Sequence, residues 1–276
     1  MGLVVKDDNW RIPDELWNQM EPLLPPGKPH PLGCHNPRVP NRNAMNAILF
    51  VLRTGCQWNA LNSTGICSSS SAHRRFLEWT EAGVFEEFWK RSLLKYDQLK
   101  GIDWSWLAMD GAMTKAPLGG EKTGSNPTDR AKKGTKRSLF TDAKGIPLSI
   151  AVDGANRHDM KMSRETLENI KAKRPKPTQE KKQGLCLDKG YDYDEVRELV
   201  KEFGFTAHIR SRGEEAKDIK KKVGQKARRW VVERTHSWMN RFRRVLIRWE
   251  KRADTYIAML HFACGIITWR ATGLMG

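Results

Sequence analysis

The stretch WLAMDGAMTKAPLGGEKTG, residues 106–124, decides how this chain is read. Its first half is a short apolar run, Trp106 to Met109, that ends on a carboxylate, Asp110. A run of that length, bounded by glycine, fits a buried strand better than a helix. Further along, Ser138 to Asp142 and Pro147 to Val152 flank Ala143-Lys144-Gly145, which predicts a β-hairpin. Leu185 to Leu187 predicts a fourth strand running into Asp188, and Thr206 to Ile209 a fifth. Helices are expected between and after them. One spans Ser163 to Lys173 with Ser163 as N-cap, and one spans Asp194 to Phe203 with Val196, Leu199, Val200 and Phe203 on one face. A long one covers Ala227 to Trp249, and a last one runs from Asp254 to about Thr272. Lys171 to Lys182 and Arg210 to Lys226 read as loops. The order strand, hairpin, helix, strand, helix, strand, helix specifies a mixed α/β domain with helices covering a sheet.

Residues 1–100 have a different texture. Pro13 to Leu24 carries Trp17, Met20, Leu23 and Leu24 at helical spacing and stops at Pro25-Pro26. After a Pro-, Gly- and His-rich loop over Gly27 to Pro40, a second helix begins at Asn41 or Asn43. It has Met45, Ile48, Leu49 and Leu52 on one stripe and ends at Gly55. Ala72–Trp79 and Val84–Tyr96 complete a set of short helices compatible with a helix-turn-helix module or with a docking domain. The expected division is 1–100, helical, for DNA binding or dimerisation, and 101–276, catalytic.

Charge separates the two parts. The 276 residues hold 49 Lys and Arg against 32 Asp and Glu, a net +17 and a pI of about 9.8. Residues 1–100 contribute 12 basic and 10 acidic side chains, so +15 falls on the remainder. Such an excess favours a polyanion, nucleic acid ahead of an anionic membrane surface. The five cysteines, Cys34, Cys56, Cys67, Cys186 and Cys264, form no CxxC pair, so a zinc site or disulfide framework is not indicated and a cytoplasmic chain is expected. The opening MGLVVKDDNWRIP is too acidic for a signal peptide, and the apolar stretch Tyr256 to Trp269 is too short and too interrupted for a membrane span.

Three acids stand where chemistry is expected: Asp110 and Asp188 at strand ends, Glu233 inside the basic helix. Glu233 lies about 200° round the helix from Val231. It therefore faces away from the packing stripe of Val231, Thr235, Trp238, Phe242, Val245 and Trp249, on a face shared with Arg229, Ser237, Asn240, Arg241 and Arg244. Carboxylates from two strands and a covering helix suit Mg²⁺ or Mn²⁺, and a pair of such ions roughly 3.5–4 Å apart supports phosphoryl transfer. Taken singly, Asp110 and Asp188 are equally compatible with capping the backbone at Gly111 and Gly190. Basic residues concentrate in Lys115 to Arg137 and in Lys226 to Arg252, each a prospective DNA track. His158, in Asn156-Arg157-His158-Asp159, reads either as a residue supporting the site or as a turn and helix start. No phosphate loop, GxGxxG or nucleophile elbow is present.

The segments NAILFVLRTGCQWNAL (46–61), SSSSAHRRFLEW (68–79), LAMDGAMTKAPLGGEKTG (107–124), DGANRHD (153–159), LCLDKGYD (185–192) and RRWVVERTHSWMNRFRR (228–244) together resemble the DDE transposases of bacterial insertion sequences, of the "IS-five" type. The resemblance covers about Trp10 to Arg270. It implies a helix-turn-helix-like N-terminal domain, an RNase H-like catalytic domain and Asp110, Asp188 and Glu233 as the metal-holding catalytic acids. It also implies two Mg²⁺ or Mn²⁺ ions, double-stranded DNA as partner (terminal inverted repeats and target), a homodimer or larger assembly, and a place at the bacterial nucleoid. On that reading DNA is nicked by water and the exposed 3′-OH attacks target DNA. A silent DNA-binding relative and a plain metal-dependent nuclease are the alternatives. Lys115 and Arg137 are then candidate strand contacts, Arg229 and Arg241 candidates for the phosphate next to the cleavage site, and Arg244 a further candidate DNA contact. The related signature of this superfamily, Tyr, then Arg three later, Glu four after that and Lys or Arg seven further on, is matched by Arg229 and Glu233, whereas Lys226 occupies the Tyr position and Asn240, next to Arg241, the final basic one.

Overall fold

The computed structural model describes residues 10–27, 38–209 and 230–274. Cys34, Arg229, the loop read over 210–226 and the first residues of the helix read from 227 lie outside them.

The N-terminal part is helical. α1 (Asp14–Met20) begins after Pro13 and α2 (Asn41–Thr54) after Pro40, where a missing N–H costs nothing. Gly55 closes α2 at φ 70°, a left-handed position that glycine fills without strain. α3 (Ser69–Glu81) is capped by Ser68, whose Oγ accepts the Ser71 N–H at 3.4 Å. α4 (Val84–Lys100) starts at Gly83 and stops at Gly101.

The sheet follows, built from β1 (Trp106–Lys115), β2 (Gly124–Ser125), β3 (Lys133–Thr141), β4 (Pro147–Gly154), β5 (Gly184–Leu187) and β6 (Thr206–Ile209). β1, β3 and β4 form an antiparallel meander, β5 joins β1 in parallel and β6 joins β5 in parallel. The three-strand meander extended by two parallel strands is the RNase H-like mixed sheet that the resemblance implied. α5 (Asp159–Glu168) packs on β3 and β4, α6 (Asp194–Glu202) on β6, and α7 (Trp230–Asn240) across β1 and β3. After α7 come α8 (Arg243–Leu246) and α9 (Ala253–Ala271).

Three of the boundaries that differ from the sequence reading bear on the site. β1 continues five residues past Asp110 because Gly111 to Lys115 pair with β3, so Asp110 stands within the strand and not at its end. α5 starts at Asp159, four residues before the expected Ser163 cap, because the His158 side chain accepts the Met160 N–H and caps it. The long helix read to Trp249 breaks after Asn240. The chain turns there so that Ile247 can pair with Lys115 and Arg248 N–H can donate to Lys115 O at 2.8 Å, which leaves Trp249 exposed.

α9 is buried on nearly all sides, as its all-round apolar sequence requires, and no described helix is long and apolar enough to cross a membrane. It lies against α4. The Phe262 ring meets Phe85 at 5.2 Å and Phe88 at 6.0 Å, and a Cβ on Gly265 would overlap the Phe88 ring. One apolar core therefore runs from the N-terminal helices into the sheet layer.

Candidate active site

Asp110 sits opposite Leu139 in the middle of the sheet, its Oδ1 accepting the Gly111 N–H at 2.9 Å. The parallel register pairs Ala108 with Cys186, two residues before Asp110 in β1 and two before Asp188, which directly follows β5. Asp188 Oδ1 accepts the Gly190 N–H at 2.7 Å and so caps the turn Lys189–Tyr191. Glu233 is exposed in the first turn of α7.

The electrostatics tie these acids together. The Asp110 carboxyl is pushed up to about 6, first by burial and then by the charges of Asp188, Asp159 and Glu233, against the pull of the Gly111 N–H. Asp159 was not anticipated as a member of this group. Its Oδ2 accepts from the buried Lys136 Nζ at 2.9 Å. Its Oδ1 is buried without a hydrogen-bond partner and lies so close to β1 that a Cβ on Gly111 would overlap it. Tyr191, almost fully buried, is held well above its ordinary pKa by burial and by the Asp159, Asp110 and Asp188 charges.

Among the described residues, no three His, Cys, Asp or Glu side chains are drawn tightly enough together to enclose a metal ion. The donor set nonetheless fits a hard divalent cation. It consists of carboxylate oxygens, their mutual repulsion disfavours ionisation of Asp110, and one Asp159 oxygen has no donor. Asp110, Asp188 and Glu233 are the side chains that would hold such an ion, with Asp159 beside them.

His236 is a second residue that the sequence reading missed. It lies one turn after Glu233, is only 6% exposed, and its Nε2 lies 3.3 Å from Asp110 O. Burial, helped by the Arg137 charge, lowers its pKa to about 3, so the ring is neutral at physiological pH. The spacing of three from Glu233 was the available signal. His158 is the exposed cap of α5, its Nδ1 accepting the Met160 N–H at 3.4 Å and its ring edge-on to Tyr193 at 5.5 Å. That is the helix-start reading.

The basic residues divide into two groups. Arg137 is 1% exposed and donates to Asn240 Oδ1 at 2.9 Å and to Val245 O at 3.2 Å. Arg244 is buried, donating to Glu250 Oε1 at 2.5 Å and Cys56 O at 3.0 Å. Both were expected on a DNA-facing surface, and the structure places them in the interior, where they satisfy carbonyl and carboxylate oxygens that the fold has buried. Asn240 likewise faces Arg137 and not a phosphate. Lys115 is exposed and pairs with Asp129 at 3.2 Å. Arg241 is exposed and lines a cavity of about 590 Å³ with Trp10, Arg53, Trp238, Phe242 and Arg270.

Residues 105–266 match the family described as "Transposase DDE domain", and residues 12–89 match the one described as "Putative transposase of IS4/5 family". A Burkholderia cepacia protein, "Putative transposase for insertion sequence element IS402", is 38% identical over 154 residues, which is 55% of this chain and 70% of the relative. A second from the same organism, "Insertion element IS402 uncharacterized 16.2 kDa protein", is 41% identical over 120 residues, 42% of this chain and 80% of the relative. The solved "Mos1 mariner paired end complex with Mn" aligns over 80% of this chain and 81% of that one, at 12% identity and a TM-score of 0.28, too loosely to compare residues. With three-fifths of its length inside the family match, carrying Asp110, Asp188 and Glu233, the chain belongs to the DDE transposase family.

Proposed function

We propose that this DDE transposase nicks the ends of its own mobile element and joins the freed 3′-OH to target DNA, with Asp110, Asp188 and Glu233 as its catalytic acids. The observation that supports the assignment is the placing of Asp110 in β1, of Asp188 directly after β5, which pairs with β1 in parallel, and of Glu233 on α7, which packs on β1. Two Mg²⁺ or Mn²⁺ ions are the cofactor; when bound, a divalent ion supplies charge stabilisation for the attacking and leaving oxygens of an in-line displacement.

The chain's own groups supply the rest. Asp110 is held within β1 by its pairing with Leu139 of β3, and its carboxylate accepts the Gly111 N–H. Asp188 is fixed by its bond to Gly190 N. Glu233 comes from the first turn of α7, the helix that packs on β1 and β3. Lys115, Arg229 and Arg241 are the proposed phosphate contacts, and residues 1–100 the unit that reads DNA or dimerises. The partners are the terminal inverted repeats and the target duplex, engaged by a homodimer or larger assembly at the bacterial nucleoid.

The test is Mg²⁺-dependent cleavage of a duplex carrying the DNA that flanks the reading frame, by wild type and by Asp188→Asn. Cleavage that the variant loses, with joined donor–target products, supports the proposal. Equal behaviour of the two proteins points to a silent DNA binder, and cuts without joining to a nuclease.

A further inference from the structure

We propose that His236 is a positioning residue for this reaction: its hydrogen bond to the Asp110 carbonyl fixes helix α7, and with it Glu233, against strand β1. The inference rests on the reading of Asp110 and Glu233 given above.

The geometry is specific. A carbonyl oxygen can only accept, so at 3.3 Å from Asp110 O the Nε2 carries the proton and Nδ1 is left with its lone pair. That Nδ1 is buried and has no partner. An imidazole with an orphaned nitrogen in the interior is a cost that Leu or Phe at the same place would not incur. What the imidazole gains in return is the bond to Asp110.

The other tethers of α7 lie elsewhere. Thr235 Oγ1 donates to Gly145 O at 2.7 Å and Arg234 Nη2 to Lys144 O at 2.6 Å, both in the turn between β3 and β4. Asn240 receives Arg137 from β3 at the far end. Among these hydrogen bonds of the described residues, the one from His236 reaches β1. Glu233 is three residues earlier, on the neighbouring part of the same helical surface. A rigid helix carries any slackening at His236 directly to that carboxylate, and a displacement of about 1 Å at a reacting centre costs about 10²-fold in rate.

The experiment compares His236→Gln, His236→Asn and His236→Leu in the full chain. Four quantities are read: nicking rate at saturating end DNA, affinity for Mn²⁺ from the free-ion signal in electron paramagnetic resonance, affinity for end DNA, and Tm. Gln places an amide N–H near the depth of Nε2, whereas Asn, one methylene shorter, does not reach Asp110 O. The expectation is nicking within about threefold of wild type for Gln and a loss of about 10- to 100-fold for Asn and Leu. Mn²⁺ affinity should fall in the same order, while DNA affinity stays within about twofold. Equal rates for Gln and Asn, a wild-type rate for Leu, or a rate loss matched by equal losses of DNA affinity and Tm would each overturn the proposal. Should Leu fail to fold, the Gln and Asn pair still decides. Should wild type bind Mn²⁺ but not nick, the catalytic reading fails and the Mn²⁺ order among the variants judges the positioning role. Absence of both in wild type removes the reading and the proposal together.

Discussion

Replacing Arg248 by Met removes a buried guanidinium that stitches the segment after α8 to the loop after β1. Arg248 is fully buried. Its Nε–H donates to Glu250 O at 2.9 Å, Nη1 to Lys122 O at 3.2 Å and Thr135 Oγ1 at 3.3 Å, and Nη2 to Glu121 O at 2.6 Å and Lys251 O at 3.4 Å. Two of these carbonyls keep a second donor in the variant: Lys122 O accepts from Thr135 Oγ1 and Lys251 O from Glu121 N. Glu121 O and Glu250 O bear the loss. Two stranded carbonyls at about 1–3 kcal/mol each, less the guanidinium desolvation that Met avoids, leave about 3 kcal/mol. With about 2.1 cal/mol/K of unfolding entropy per residue, that lowers Tm by about 5 °C in a chain of this length. Thermal unfolding followed by far-UV circular dichroism reads the shift. Arg248→Lys should restore little, because a single ammonium cannot fan out to acceptors on both sides. A fall of less than about 2 °C for Arg248→Met would refute the reasoning, since the guanidinium would then be replaceable by apolar volume alone.

Acid should destabilise the fold through the junction of α4 and α9. Burial lowers His261 to about 4, and Glu86 is brought down to about 2 because bonds from Lys90 and Lys171 outweigh its burial. The unfolded chain therefore takes up both protons first: His261 stability is lost as pH falls from 6.5 towards 4, and Glu86 stability as it falls from 4.5 towards 2. Urea midpoints that stay level from pH 7 to pH 4 would contradict this, and His261→Leu should reduce that slope while His236, also held low by burial, keeps its own share. Gly111→Ala drives a methyl into Asp159 and should cost about 1–3 kcal/mol together with DNA cleavage, read by unfolding and by nicking assays; full activity would mean that Asp159 moves aside freely. Lys115→Ala and Arg241→Ala should each flatten the dependence of log DNA affinity on log salt by about one, whereas Arg137→Met and Arg244→Met should lower Tm. The reverse pattern would place the cations on the wrong surfaces.

Strands and helices were legible wherever burial is periodic or one-sided. The hairpin at Ala143-Lys144-Gly145, β5 running into Asp188, and the buried α9 all follow from local pattern. What local pattern does not carry is pairing. The half of β1 beyond Asp110 contains Gly111 and polar side chains and reads as a loop; it is a strand because β3 lies alongside it. The same holds for the break after Asn240, where helical periodicity runs on but Ile247 is claimed by Lys115. Asp110, Asp188 and Glu233 were singled out by expected strand ends and a helix face, although Asp110 stands within β1. Asp159 and His236 were not, since their roles depend on contacts with β1 that no spacing announces.

Charge was the least transferable signal, for a reason rooted in the arginine side chain. Ten Lys and Arg fall between Lys226 and Arg252, and counting alone assigns all of them to DNA. Seven lie among the described residues. Arg244 and Arg248 are buried, Arg234 lies between the Trp230 and Trp238 rings at 4.5 and 4.7 Å and donates to Lys144 O, and Arg252 pairs with Asp254. A guanidinium has five donors in a rigid plane and sheds water more readily than an ammonium, so it can serve as a crosslink where backbone carbonyls turn inward. In this chain Arg244 and Arg248 do so from the segment between α7 and α9. Arg241, Arg243 and Lys251 remain as the exposed cations of the stretch that are not engaged in these contacts. The interior arginines hold α7 and the segment after it in place, so among the described residues fewer cations are free to face a polyanion than the sequence charge implies.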